Sequence, residues 1–70
     1  MSQSYTQAEV QHRANHVKRL GGLTKASTIN ELELMAEGQD PDGLRTQFYP
    51  GKPDQFFKDV LTAISENTES

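Results

Sequence analysis

The sequence predicts an all-α fold, a compact bundle of three to four short helices forming one small domain over residues 1–70. Three observations carry that expectation. Residues 53–66 (PDQFFKDVLTAISE) place Phe56, Phe57, Val60, Leu61 and Ile64 on one broad stripe at 3.6 residues per turn, with Lys58, Asp59 and Glu66 off it. Thr6/Glu9 and Thr28/Glu31 each have the spacing of a capping box, in which a threonine hydroxyl and a glutamate carboxylate satisfy each other's free backbone N–H groups. Gly21-Gly22, Gly38, Pro41 with Gly43, and Pro50-Gly51 punctuate the chain between these segments.

Residues 1–4 are expected to fray. Tyr5 and Val10 bracket the first capping box at the spacing of a hydrophobic staple, so a helix is expected over residues 7–20. Val10, Ala14 and Val17, with Leu20 or Gly21, form its narrow inner stripe. Gly21-Gly22 stops it through a left-handed glycine, and Leu23 is placed to fold back onto the last turn. Residues 24–27 read as a polar connection, after which Thr28 starts a second helix that ends at Gly38. Ile29, Leu32 and either Met35 or Ala36 face inward, while Leu34 lies about 200° around the axis from Leu32. Leu32 and Leu34 alternate with glutamates as a strand would. The capping box, the terminal glycine and the helix formers outweigh that alternation.

Asp40 as N-cap and Pro41 in the first turn open a short helical piece over 41–48, weakened by Gly43, with Leu44 and Phe48 on one side. Tyr49-Pro50-Gly51-Lys52 matches a type II turn, with proline second and glycine third. The last helix starts at Pro53, and residues 67–70 form a loose tail. It is the element on which the others should pack.

A 70-residue chain buries only about 60% of the surface its unfolded form exposes, so its stability margin is thin. Cysteine is absent, which removes disulfides and thiolate metal sites. Regular helices and self-association are the remaining ways to close the gap. No apolar run reaches the length of a membrane span and the N-terminus lacks a secretory signal, so a cytoplasmic protein without membrane contacts is expected.

The net charge of −3 argues against a general binder of nucleic acid or anionic membrane. The charge is unevenly spread. Arg13, Lys18, Arg19 and Lys25 against Glu9 make residues 1–27 basic, whereas Glu31, Glu33, Glu37, Asp40 and Asp42 make residues 28–44 acidic. Such blocks are ordinarily solvated faces or complementary neighbouring helices; the sharper reading makes one of them a docking surface.

Catalytic and metal chemistry find little footing. His12 and His16 stand at i and i+4, but no third ligand or catalytic glutamate accompanies them and Arg13 opposes a cation. Asp40, Asp42 and Gly43 match part of a calcium loop, yet its first carboxylate and its closing glutamate fall on Gly38 and Tyr49. No serine sits in a G-x-S-x-G setting. No catalytic residue, metal or cofactor is expected.

Protein contact has positive support. Leu34 leaves the inner face of its helix, Phe48 and Tyr49 are adjacent aromatics that cannot easily share one small core, and Phe57 widens the last helix's stripe. Leu34, Phe48, Tyr49 and Phe57 are therefore the expected partner-binding residues of a small, non-enzymatic regulatory or adaptor protein, with self-association as a homodimer among its modes. The alternative is a nucleic-acid-binding regulator using Arg13, Lys18 and Arg19 of the first helix. A helix-turn-helix over 28–37 and 41–48 would present the acidic block to phosphate, which disfavours it. The same acids imitating a phosphate backbone would be a weak signal at this net charge.

Overall fold

Thr6 starts the first helix as its spacing requires. In the computed structural model, which describes residues 5–66, the Thr6 hydroxyl accepts the Glu9 N–H at 3.2 Å and the Glu9 carboxylate accepts the Thr6 N–H at 2.7 Å. The expected tails, residues 1–4 and 67–70, lie outside the described residues. Helix α1 covers Gln7–Lys18 and buries Val10, Ala14 and Val17. Leu20 lies beyond its end, half-buried against the core, with its N–H bonded to the Val17 carbonyl at 3.0 Å.

Gly22 takes the left-handed conformation (φ +53°), but the chain after it departs from expectation. Helix α2 covers Gly22–Ala36, so residues 24–27 are helical and not a connection. The reversal is completed at the glycines, and no breaker follows to keep residues 24–27 out of the helix. Lys25 donates to the Gly21 carbonyl at 3.3 Å, which begins the helical ladder. Thr28 and Glu31 consequently stand in mid-helix, where backbone N–H groups are already bonded, and their capping box does not form. The early start also carries Leu23 outward. Nine residues from Leu32, it points to the opposite side of α2 and is 87% exposed instead of folding back.

The end of α2 follows the sequence. Gly38 (φ +94°) donates to Met35 and Gln39 donates to Leu34, both carbonyls that the helix leaves free, in a Schellman closure. The piece expected over 41–48 then divides in two. Pro41–Gly43 is a single 3₁₀ turn in which Asp42 (φ +54°) and Gly43 (φ +69°) turn left-handed, and α3 covers Leu44–Phe48. Asp40 does not cap a helix beginning at Pro41. Its carboxylate instead accepts the N–H of Arg45 at 2.7 Å, the N–H of Thr46 at 3.4 Å and the Thr46 hydroxyl at 2.6 Å. It thus caps α3 from across the turn, in place of Gly43, which has no side chain to do so. The Thr46 hydroxyl and the two backbone donors hold the Asp40 carboxyl below the usual range.

The type II turn forms, with Lys52 donating to the Tyr49 carbonyl at 3.2 Å and Gly51 left-handed (φ +78°). Helix α4 covers Asp54–Glu66, directly after Pro53. It packs extensively on both α1 and α2, which touch each other far less. The bundle is organised around it. Phe56, Phe57, Val60, Ala63 and Ile64 are buried on α4 and meet Val10, Ala14 and Val17 of α1 and Leu32, Met35 and Ala36 of α2 in one apolar cluster. Tyr49 covers one flank, edge-on to Phe57 at 5.2 Å and tilted against Phe56 at 6.0 Å, and Leu44 packs on the same cluster. The broad stripe of α4 is therefore closed by its own chain.

Arg45 fastens the pieces. Its guanidinium donates to the Met35 carbonyl and to the Lys52 carbonyl, both at 3.1 Å, and pairs with Asp54 at 2.6 Å. It also lies 5.1 Å from the centroid of the Phe57 ring. One side chain thus joins the end of α2, the turn and the start of α4. Among the described residues, no helix is long and apolar enough to cross a membrane.

Candidate functional site

Most large apolar side chains are spent in the core. Among the described residues, the large apolar side chains that are exposed are Leu23 and Phe48, the latter 59% exposed. Leu23 lies beside neither of the clefts described below, whereas Phe48 borders both.

The first cleft, about 330 Å³, runs between α1 and the segment joining α3 to α4. Ala8, Glu9, His12 and Arg13 line it from α1, with Phe48, Tyr49, Lys52 and Phe56 opposite. The second, about 240 Å³, lies between α1, α2 and α3. Arg13, His16 and Leu20 face Thr28, Glu31, Leu32 and Met35 across it, and Leu44, Phe48 and Tyr49 complete it. Arg13, Phe48 and Tyr49 belong to both clefts and form the wall between them. The result is one groove with an aromatic ridge at its middle.

Helical spacing explains the α1 side. Glu9, Arg13, His16 and Leu20 succeed one another at intervals of three or four residues, which aligns them along one flank beside the buried stripe. Arg13 lies 5.3 Å from the centroid of the Tyr49 ring and, among the described residues, makes no ion pair. Burial raises the Tyr49 phenol above its ordinary pKa; Glu31 adds to that shift and Arg13 opposes it. Lys52 reaches Glu9 at 3.8 Å and lies 5.8 Å from the Phe56 ring centroid. His12 and His16 are exposed at the rim. Among the described residues, no three histidine, aspartate or glutamate side chains gather as metal ligands would.

The four residues expected to bind a partner separate. Phe48 forms the exposed ridge. Tyr49 is half-buried and divides its ring between the core, edge-on to Phe57, and the groove, where it lines both clefts. Leu34 is half-buried and outside the core cluster, on the α2 face turned away from Leu32. Phe57 is fully buried under Tyr49 and Arg45, which removes it from any surface and makes it core.

Arg13, Lys18 and Arg19 do not form one patch. Arg13 lies in the groove, Lys18 is about 140° around α1 from it, and Arg19 is a further ~100° on. Arg45, the one base within residues 28–48, is held in its three-way clamp. With α3 only five residues long, a reading helix in that region is also too short. The two ion pairs among the described residues are Arg45–Asp54 and Lys52–Glu9, so no ion pair joins the bases of α1 to the acids of α2.

Arg13, the two histidines and the Phe48-Tyr49 pair are unrelated features along the sequence; the fold places them in one groove. The repeat of Glu9, Arg13, His16 and Leu20 was a signal for the α1 wall. Nothing local to Glu31 or Lys52 marked them as rim residues. No protein-family model, curated protein or solved structure matches this chain.

Proposed function

We propose that this chain is a small, non-enzymatic, cytoplasmic regulatory or adaptor protein that acts through protein contacts made by the groove around Phe48. The observation that carries the reading is the exposure of Phe48, 59% open to solvent between two clefts. A phenylalanine there gains nothing from the core, and an aromatic ridge beside apolar hollows with charged rims is the arrangement of a contact surface, where aromatic residues supply most of the binding energy. Tyr49 lines both clefts beside Phe48, and Arg13 supplies a cation already held against the Tyr49 ring.

The alternative, a nucleic-acid-binding regulator using α1, has less support, because Arg13, Lys18 and Arg19 point in three directions. Phosphate binding needs several cations presented together.

The test is photo-cross-linking in cells with a benzoylphenylalanine placed at position 48 and, as a control, at position 23. Both sites are exposed, but only the first lies in the groove. Discrete protein adducts from position 48 that are missing from position 23 are expected. The same adducts from both positions, or none from position 48, would overturn the reading.

A further inference from the structure

The charge at the middle of the groove indicates its occupant. We propose that the Phe48 face takes a segment of a partner protein with one aspartate or glutamate between two apolar side chains. The carboxylate pairs with Arg13 and an apolar side chain enters each cleft; this rests on reading that face as a contact surface.

Among the described residues, Arg13 is the one charged side chain that lines both clefts, and it makes no ion pair. Its guanidinium lies 5.3 Å from the Tyr49 ring centroid. A ring attracts a cation without neutralising it, so the charge remains open to an anion at the ridge. The remaining charges do not supply that anion. Glu9 and Lys52 offset each other at 3.8 Å in the first cleft, and the other Glu9 oxygen accepts the Thr6 N–H at 2.7 Å. Glu31 lines the second cleft from α2 and makes no ion pair with Arg13. Its negative charge keeps a second carboxylate out of that cleft, so the segment carries a single acid and not an acidic run.

The clefts themselves suit side chains of one segment. Phe48, Tyr49 and Phe56 give the first its apolar lining, and Leu20, Met35 and Leu44 contribute to that of the second. A site for a free small molecule is ordinarily one hollow of about 300–1,000 Å³ that encloses most of its ligand. Here about 330 Å³ and about 240 Å³ are divided by a ridge, which fits two side chains on one backbone with the acid between them.

The test is a titration of the full chain, followed by its backbone amide NMR signals, with acetyl-Leu-Ser-Glu-Ser-Leu-amide and its glutamine and lysine counterparts. In extended form the two leucines and the central residue share one face. Shifts centred on Arg13, Phe48 and Tyr49 are expected. The glutamine peptide should bind about fivefold more weakly, the scale of an exposed ion pair, and the lysine peptide more weakly still. Arg13→Gln should remove the preference for glutamate, and Arg13→Lys should keep part of it. The same spectra report folding; should Arg13→Gln unfold the chain, Arg13→Lys with the three peptides decides. Equal binding of the three peptides, tighter binding of the lysine peptide, a preference that survives Arg13→Gln, or no shift in the groove at millimolar peptide each overturn the acidic segment. Hydrocinnamate binding as tightly as the glutamate peptide overturns it in favour of a free acid. Groove signals that move on dilution of the chain alone, with no peptide preference, overturn it in favour of a second copy. If any of these results comes with adducts specific to position 48, only the acidic segment falls. If those adducts are missing too, the contact-surface reading falls with it.

Discussion

The Tyr5 hydroxyl donates a 2.7 Å hydrogen bond to the carboxylate of Asp59, 54 residues away in the chain. This ties the segment before α1 to the middle of α4. The Tyr5 ring stands edge-on to Phe56 with centroids 5.1 Å apart, and the other Asp59 oxygen accepts from Gln55 at 2.8 Å. The pair closes one end of the core.

A pH dependence follows from that bond. The Tyr5 phenol is pushed up to about 12, first by the hydrogen bond to Asp59, then by burial, then by the nearby negative charge. Its unfolded value is about 10. The folded state therefore holds the proton more tightly, and the associated stability is complete below pH ~10 and lost as the pH rises toward ~12. Tyr5→Phe should cost about 1.5–3 kcal/mol at neutral pH, the usual value of a hydrogen bond to a charged group. It should also flatten the loss of stability above pH ~10, leaving the part due to Tyr49, whose phenol is raised as well. Urea unfolding at a series of alkaline pH values measures both effects; an unchanged slope in the variant would count against this account of Tyr5.

Arg45 is expected to be the most sensitive charged residue. It serves two backbone carbonyls, one carboxylate and one ring, and its side chain is only 21% exposed. Arg45→Ala leaves the Met35 and Lys52 carbonyls without this donor and should cost about 2–4 kcal/mol. Arg45→Lys should recover little, because one ammonium cannot reproduce the planar fork. Denaturant midpoints of the two variants decide the matter, and full rescue by lysine would show that charge alone matters.

The paired glycines offer an internal control. Gly22 is left-handed at φ +53°, whereas Gly21 has the extended value of −124°; neither would bring a Cβ within 4 Å of another group. Gly22→Ala should therefore cost about 1–2 kcal/mol from backbone strain alone. Gly21→Ala should stay within about 0.5 kcal/mol of wild type, as an unstrained surface change does. Thermal unfolding of both proteins gives the comparison, and equal effects would contradict the assigned conformations.

Features written in a few neighbouring residues were legible in the sequence. The capping box of Thr6 and Glu9, the closure at Gly38, the turn at Pro50-Gly51 and the apolar stripe of α4 all formed where local chemistry put them. The start of α2 was not legible: Thr28 and Glu31 have capping-box spacing, yet that spacing matters only where backbone N–H groups are free. A left-handed Gly22 had already started the helix upstream. Asp40 reads as a cap in the sequence, but its target, α3, lies beyond a turn whose left-handed Asp42 no local rule predicts. The groove was the least legible feature. Its walls come from α1, α2, α3 and the turn before α4, and only tertiary packing shows that Phe48 stays outside and Tyr49 half outside while Phe57, also expected at the surface, goes in.

That Phe48 serves contact and not stability is tested most directly by urea unfolding of Phe48→Ser in dilute solution, with Phe57→Ala as the core reference. The expected result is a Phe48→Ser stability within about 0.5 kcal/mol of wild type, the range of a surface change, beside a loss of about 3–5 kcal/mol for Phe57→Ala. A loss above about 2 kcal/mol for Phe48→Ser would place Phe48 in the core and contradict the groove as a contact face.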